Sequence, residues 1–221
     1  MSSAEAFARF PGCALVLSVP FLLVNLLDGF TKPALAQTPL LFWIYDVTKW
    51  VLLPAATVFA MRMWCGASLS SFGLRGPDVR WLSALSVLYT VLAMSYFAFR
   101  ALALQVIPEE PSFDLAELLP GGWARLPVVL YLCATAAFVE EFFYRGVMLE
   151  ALAPAGSGPG RSSAYVLASS ILFGLSHFEN GSVEIFATGL FGVVAAVFAL
   201  RIRNLWPLIA GHFATDFLAF Q

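Results

Sequence analysis

Charge is scarce in this chain. Only 12% of its 221 residues are Asp, Glu, Lys or Arg, against about 25% in an ordinary soluble domain. With 60% hydrophobic residues and a mean hydropathy of +0.83, the chain cannot clothe itself in a water-facing surface. A soluble globular enzyme is excluded, and so is a disordered chain. Basic runs are missing and the net charge is −2, which leaves no electrostatic footprint for nucleic acid. Strand-like alternation is missing too, which argues against a transmembrane barrel. The three cysteines, Cys13, Cys65 and Cys133, are far apart and lie in or beside apolar stretches. Their spacing suggests neither a disulfide framework nor a zinc ribbon, and they read as small core residues.

Long apolar runs are what the chain does have. They fall near 12–30, 39–65, 81–107, 125–150, 163–178, 181–200 and 204–220. A helix needs about 20 apolar residues to cross the hydrocarbon layer. The expected architecture is therefore an all-α, polytopic transmembrane bundle of about seven spans, with six to eight allowed, forming one integral-membrane domain over residues 1–221. The fifth and seventh runs are short and should be tilted, broken or packed inside the bundle. The first run lacks a small-residue cleavage site and reads as a retained span rather than a removed signal peptide. Breaks fall at Lys32-Pro33, at 66–80, in the acidic loop 108–122 with Glu109, Glu110, Asp114 and Glu117, and at 154–160. No internal repeat stands out. Arg9, Arg62, Arg75, Arg80, Arg161, Arg201 and Arg203 collect on one side of seven alternating spans, and Lys32, Arg100 and Arg125 on the other. The positive-inside rule then predicts a cytoplasmic N-terminus, in a multi-pass protein expected in a bacterial inner membrane.

Ionisable residues at membrane depth are expensive and mark function. In the apolar run 136–146, Glu140 and Glu141 are adjacent and so point about 100° apart on a helix. Glu141 and Arg145 are spaced i, i+4 and can pair, which leaves Glu140 aimed elsewhere without a local cation. A buried carboxylate so placed suits a general base. His177 ends the segment that contains Phe173. His212 and Asp216 are spaced i, i+4 on the last helix. At about 1.5 Å rise per residue, Glu140, His177 and His212 can all reach the middle of the bilayer, so one shared polar cavity is geometrically allowed. Asp46 and Lys49, spaced i, i+3, read as a structural pair. Ser176 adjoins His177 in sequence and should not face it on a helix. No H-E-x-x-H and no nucleophile elbow occur. Two histidines and a glutamate could supply three zinc ligands, but nothing in the sequence orients them, and the chemistry reads as cofactor-free.

The order Glu-Glu-x-x-x-Arg, Phe-x-x-x-His, His-x-x-x-Asn/Asp resembles the CAAX protease and bacteriocin-processing family of glutamate-type intramembrane endopeptidases. Glu140, Glu141 and Arg145 match the first motif, Phe173 and His177 the second, His212 and Asp216 the third. The stretches Phe72-Gly73-Leu74-Arg75 and Asn204-Leu205-Trp206-Pro207 are similar to the family as well. The resemblance covers about 70–220 and leaves the first two spans without a signature. It implies that Glu140 and His177 hold and deprotonate a water, and that His212 and Asp216 sit where the carbonyl oxygen develops charge. Glu141 and Arg145 would brace the site and Phe173 would pack beside it. An ionised Asp cannot donate a hydrogen bond, so Asp216 would either orient His212 or carry a proton. The implied partner is a membrane-anchored protein or peptide within the lipid bilayer, cut in or near its anchor or C-terminal segment. Two other classes stay open on the residues alone. One is a non-catalytic membrane binder or immunity protein. The other is a proton-coupled transporter, which should show inverted repeats.

Overall fold

The computed structural model describes residues 3–76, 79–108 and 115–220, with side chains from residue 12 onward except at 79–82. Arg9, Arg80, Glu109, Glu110 and Asp114 of the sequence reading therefore lie outside the described side chains. Among the described residues there are eight helices and no strand: α1 (Ser3–Leu26), α2 (Asp28–Ala36), α3 (Pro39–Cys65), α4 (Val79–Val106), α5 (Gly122–Leu152), α6 (Pro159–Leu175), α7 (Ser182–Ile202) and α8 (Trp206–Ala219).

Among the described residues, four helical stretches are long and apolar enough to cross a membrane: Pro39–Cys65, Ser83–Val106, Gly122–Leu152 and Ser182–Ile202. A fifth arises if α1 and α2, which meet at a 50° bend, count as one broken span. The short fifth and seventh apolar runs form helices of 17 and 14 residues, about 26 and 21 Å long at 1.5 Å per residue. Neither reaches across about 30 Å of hydrocarbon unaided. The protein is thus an all-helical integral-membrane bundle, with four or five helices of spanning length among the described residues.

Local sequence explains where the helices begin and end. Pro39, Pro159 and Pro207 occupy the first turns of α3, α6 and α8, where a missing N–H costs nothing. Gly66 ends α3 in the left-handed conformation, φ +66°, as a helix C-terminus commonly requires. Two helices contain wider π turns, Thr48–Leu52 in α3 and Glu141–Val147 in α5. Such insertions cluster at functional sites, and the second one begins at the glutamate pair.

Small residues let α6 and α7 approach closely. A Cβ added at Gly174 of α6 would lie 2.6 Å from the Ile185 carbonyl oxygen and 3.1 Å from Gly189 Cα of α7. The two backbones therefore touch, as small-residue faces permit in membranes. α8 packs on α4 and α5, and α1 packs on α3 and α5. The two family-like stretches outside the motifs also meet. Leu205 N–H donates to the Gly73 carbonyl at 3.0 Å, and the Trp206 indole N–H donates to the Arg75 carbonyl at 3.1 Å. This pins the 66–76 link to the turn that launches α8.

Two sequence expectations are corrected here. Cys13 and Cys65 form a disulfide, Cα–Cα 5.9 Å, across 52 residues of sequence. α1 and α3 pack against each other, so residues remote in the chain become neighbours; Cys133 alone is a buried free thiol. Lys49 does not pair with Asp46. It is buried and bonds Asp28 of α2, while Asp46 accepts from the Tyr131 hydroxyl at 2.9 Å. The closeness of α2 outweighs i, i+3 spacing along one helix.

Candidate active site

A cavity of about 500 Å³ opens at one end of the bundle. The C-terminal ends of α1, α4, α6 and α8 and the N-terminal halves of α3, α5 and α7 surround it. Glu140, His177, His212 and Asp216 all line it. A smaller annex of about 140 Å³ continues past His177, His212 and Asp216 to Phe173, Thr188, Phe191 and Thr215.

Glu140 closes the regular part of α5 and Glu141 starts the π turn, so the adjacent carboxylates diverge. Glu141 is fully buried and bonds two ways. Its Oε1 lies 3.2 Å from an Arg145 guanidinium nitrogen and 2.8 Å from His212 Nδ1. Arg145 is fully buried as well, its guanidinium carbon 4.1 Å from the Phe173 ring centroid. A cation over an aromatic face recovers part of the hydration lost on burial. Arg145, Glu141 and His212 form one continuous chain of contacts that ends at the cavity wall.

His212 presents its other nitrogen to the cavity. Nε2 stands 3.7 Å from Glu140 Oε2 and 3.6 Å from Asp216 Oδ1. The imidazole is therefore oriented at Nδ1 by Glu141, and Asp216 faces Nε2. For the ring to donate from Nε2 while bonded to Glu141, it must carry both protons, or Glu141 must hold the shared one. His177 stands two residues past the end of α6, where the chain has left the helix. Its Nδ1 lies 2.9 Å from the Phe173 carbonyl. A carbonyl only accepts, so Nδ1 carries the proton, and Nε2 of the neutral ring is left as an acceptor. Because the helix has ended, Ser176 Oγ comes within 3.3 Å of His177 Nδ1, contrary to the expectation from helical spacing. That hydroxyl also bonds the Phe173 carbonyl at 2.8 Å, so it serves the turn.

Phe173 sits at the centre of an aromatic cluster. Its ring centroid is 5.3 Å from Tyr144, 4.9 Å from His177, 6.0 Å from Phe191 and 6.1 Å from His212. Both histidine rings are thereby fixed against one side chain. Among the described residues, no group of three or more His, Cys, Asp and Glu side chains is arranged to hold a metal ion.

Several cavity residues escaped the sequence reading. Asn25, Asp28 and Lys32 come from the first, unsigned part of the chain, and Tyr96, Arg100, Glu179 and Glu184 from positions read as loop or span. Arg100 Nε bonds Glu184 at 2.6 Å, and the Tyr96 hydroxyl bonds the same carboxylate. Lys32 lies 3.0 Å from Asp28 and 3.5 Å from Glu179. A signal existed: Ala14, Ser18, Phe21, Asn25 and Asp28, all buried, repeat at alternating intervals of three and four. That is the spacing of an inward-facing helical stripe.

A membrane-embedded helical bundle with carboxylates and imidazoles gathered on one open cavity defines the class. Residues 122–218 match the family model of type II CAAX prenyl endopeptidases, Rce1-like. That segment runs from the start of α5 to the last turn of α8 and includes all three motifs. No curated protein and no solved structure matches the chain significantly.

Proposed function

We propose that this protein is an intramembrane endopeptidase that hydrolyses a peptide bond in or near the membrane anchor or C-terminal segment of a substrate protein. The supporting observation is the placement of Glu140. It is 4% exposed, lines the open cavity shared with His177 and Asp216, and faces the Nε2 of His212.

The chemistry follows from those positions. Amide hydrolysis needs an activated water, stabilisation of the developing oxyanion and a proton for the leaving amine. Glu140 takes a proton from a water held between it and the acceptor Nε2 of His177. The resulting hydroxide adds to the carbonyl carbon, and His212, carrying a proton on Nε2, stabilises the oxygen. Glu140 returns its proton to the amine as the C–N bond breaks. Glu141 and Arg145 hold the His212 ring from behind. Asp216, 3.6 Å from the same Nε2, favours the charged form of the ring by its own negative charge. No metal enters these steps, so chelators should leave the activity unchanged. The substrate is a membrane-anchored protein or peptide that reaches the cavity from the bilayer.

The test is mass spectrometry of membrane peptides from cells carrying the native protein or Glu140→Gln. A cleavage product present only with the native protein supports the reading and names the substrate. A phenotype fully retained by Glu140→Gln, with no such product, would point to a binder and overturn it.

A further inference from the structure

The N-terminal helix α1 lies outside the matched family segment, yet it forms a wall of the cavity. Phe21 stacks on Phe143 of the α5 π turn, ring centroids 4.3 Å apart. One helical turn later on the same face comes Asn25, which is 2% exposed. Its side-chain amide nitrogen lies 3.1 Å from the Tyr144 hydroxyl and 3.5 Å from Glu140 Oε1.

We infer that Asn25 is a positioning residue for Glu140: its amide holds the Oε1 side of the carboxylate and leaves Oε2 turned to His212 and the cavity. This rests on the endopeptidase reading of Glu140.

Three observations carry the inference. An amide nitrogen has two donors, and at Asn25 one meets Tyr144 and the other is directed at Glu140. The phenol, itself in the α5 π turn, anchors the amide, so Asn25 is not free to follow the carboxylate wherever it turns. The opposite oxygen of Glu140 is the one near His212, so the two helices α1 and α8 bracket the carboxylate from either side. A base acts only when aimed, and the motif helix by itself leaves a glutamate side chain several rotamers.

The experiment begins with the full-length protein and the bond identified through its dependence on Glu140. A quenched fluorescent peptide spanning that bond is cleaved by protein reconstituted in vesicles. Asn25→Leu keeps the volume and apolar packing but removes the donor. It should lower kcat about ten- to a hundredfold, as expected for loss of a hydrogen bond to a charged group, with KM within about twofold. Asn25→Gln, which keeps an amide, should recover part of kcat. Ser18→Ala tests the same inward face without touching Glu140. The Ser18 hydroxyl bonds its own helix at the Leu15 carbonyl, so this variant should cleave like the native protein.

Melting temperatures in detergent separate aiming from folding. A kcat loss in Asn25→Leu without a matching loss of Tm supports the inference. Native kcat in Asn25→Leu, or a kcat loss that Asn25→Gln shares in full, overturns it and leaves the role of Glu140 standing. Absence of any Glu140-dependent product removes both.

Discussion

Two glycines that face each other should respond in opposite ways to the same substitution. At Gly174 an added methyl meets a backbone oxygen at 2.6 Å and a backbone carbon at 3.1 Å. Neither can swing aside, so α6 and α7 must part by some tenths of an ångström. Overpacking of this kind costs about 1–3 kcal/mol. Alanine recovers about 1 kcal/mol of helix propensity over glycine, which does not offset the upper part of that range. At Gly189 the nearest atoms to an added methyl are 3.8 and 4.0 Å away, ordinary contact distances. There the propensity gain stands alone. Gly174→Ala should therefore lower the stability by up to about 2 kcal/mol, and Gly189→Ala should hold or raise it by up to about 1 kcal/mol. Activity should follow the same order, because His177 lies three residues beyond Gly174, and a displacement near 1 Å in a reacting group costs about a hundredfold. Reversible unfolding in mixed micelles, followed by circular dichroism, reads the stabilities. Equal destabilisation by both variants would refute the backbone-contact argument and with it the account of how α6 places His177.

Further expectations concern charge and redox. Arg145→Met should cost about 3–5 kcal/mol, because it strands the buried Glu141 carboxylate. Adding Glu141→Gln to that variant should restore part of the stability but not the activity, since His212 Nδ1 then faces a neutral amide in place of a carboxylate. Micellar unfolding and peptide cleavage measure the two effects. Reducing Cys13–Cys65 should lower stability by about 2–4 kcal/mol, read as a shift of the melting curve with dithiothreitol, while the cavity at the far end keeps its activity. Orientation has two opposing indicators. Arginines crowd the end opposite the cavity and favour the cytoplasm, whereas a disulfide at that end favours an oxidising compartment. With the arginine-rich end inside, as the positive-inside count proposes, a cysteine introduced by Ala155→Cys should react with an impermeant maleimide only after the membrane is opened, and Cys13 and Cys65 should titrate as thiols in the cell. Labelling of intact cells with the disulfide closed would reverse the orientation.

Much of the architecture could be read directly because hydrocarbon imposes a simple demand. Backbone groups must bond within their own segment, so long apolar runs become helices, and all seven runs contain helices. The cost of burying charge likewise drew attention to Glu140, His177, His212 and Asp216 before any fold was known, and they do line one cavity. What spacing could not supply was the partner of each group. The i, i+4 rule brought Arg145 to Glu141 because both lie on one helix. It could not bring His212 Nδ1 to Glu141, Lys49 to Asp28, Asn25 to Glu140, or Cys13 to Cys65, because each of those contacts joins different helices. Such pairings depend on how helices rotate and pack, which small residues at Gly174 and Gly146 and the wider turn at 141–147 decide only in three dimensions. Composition and period fixed the elements and the chemistry they carry; the packing of α1, α3 and α8 against α5 decided which groups touch.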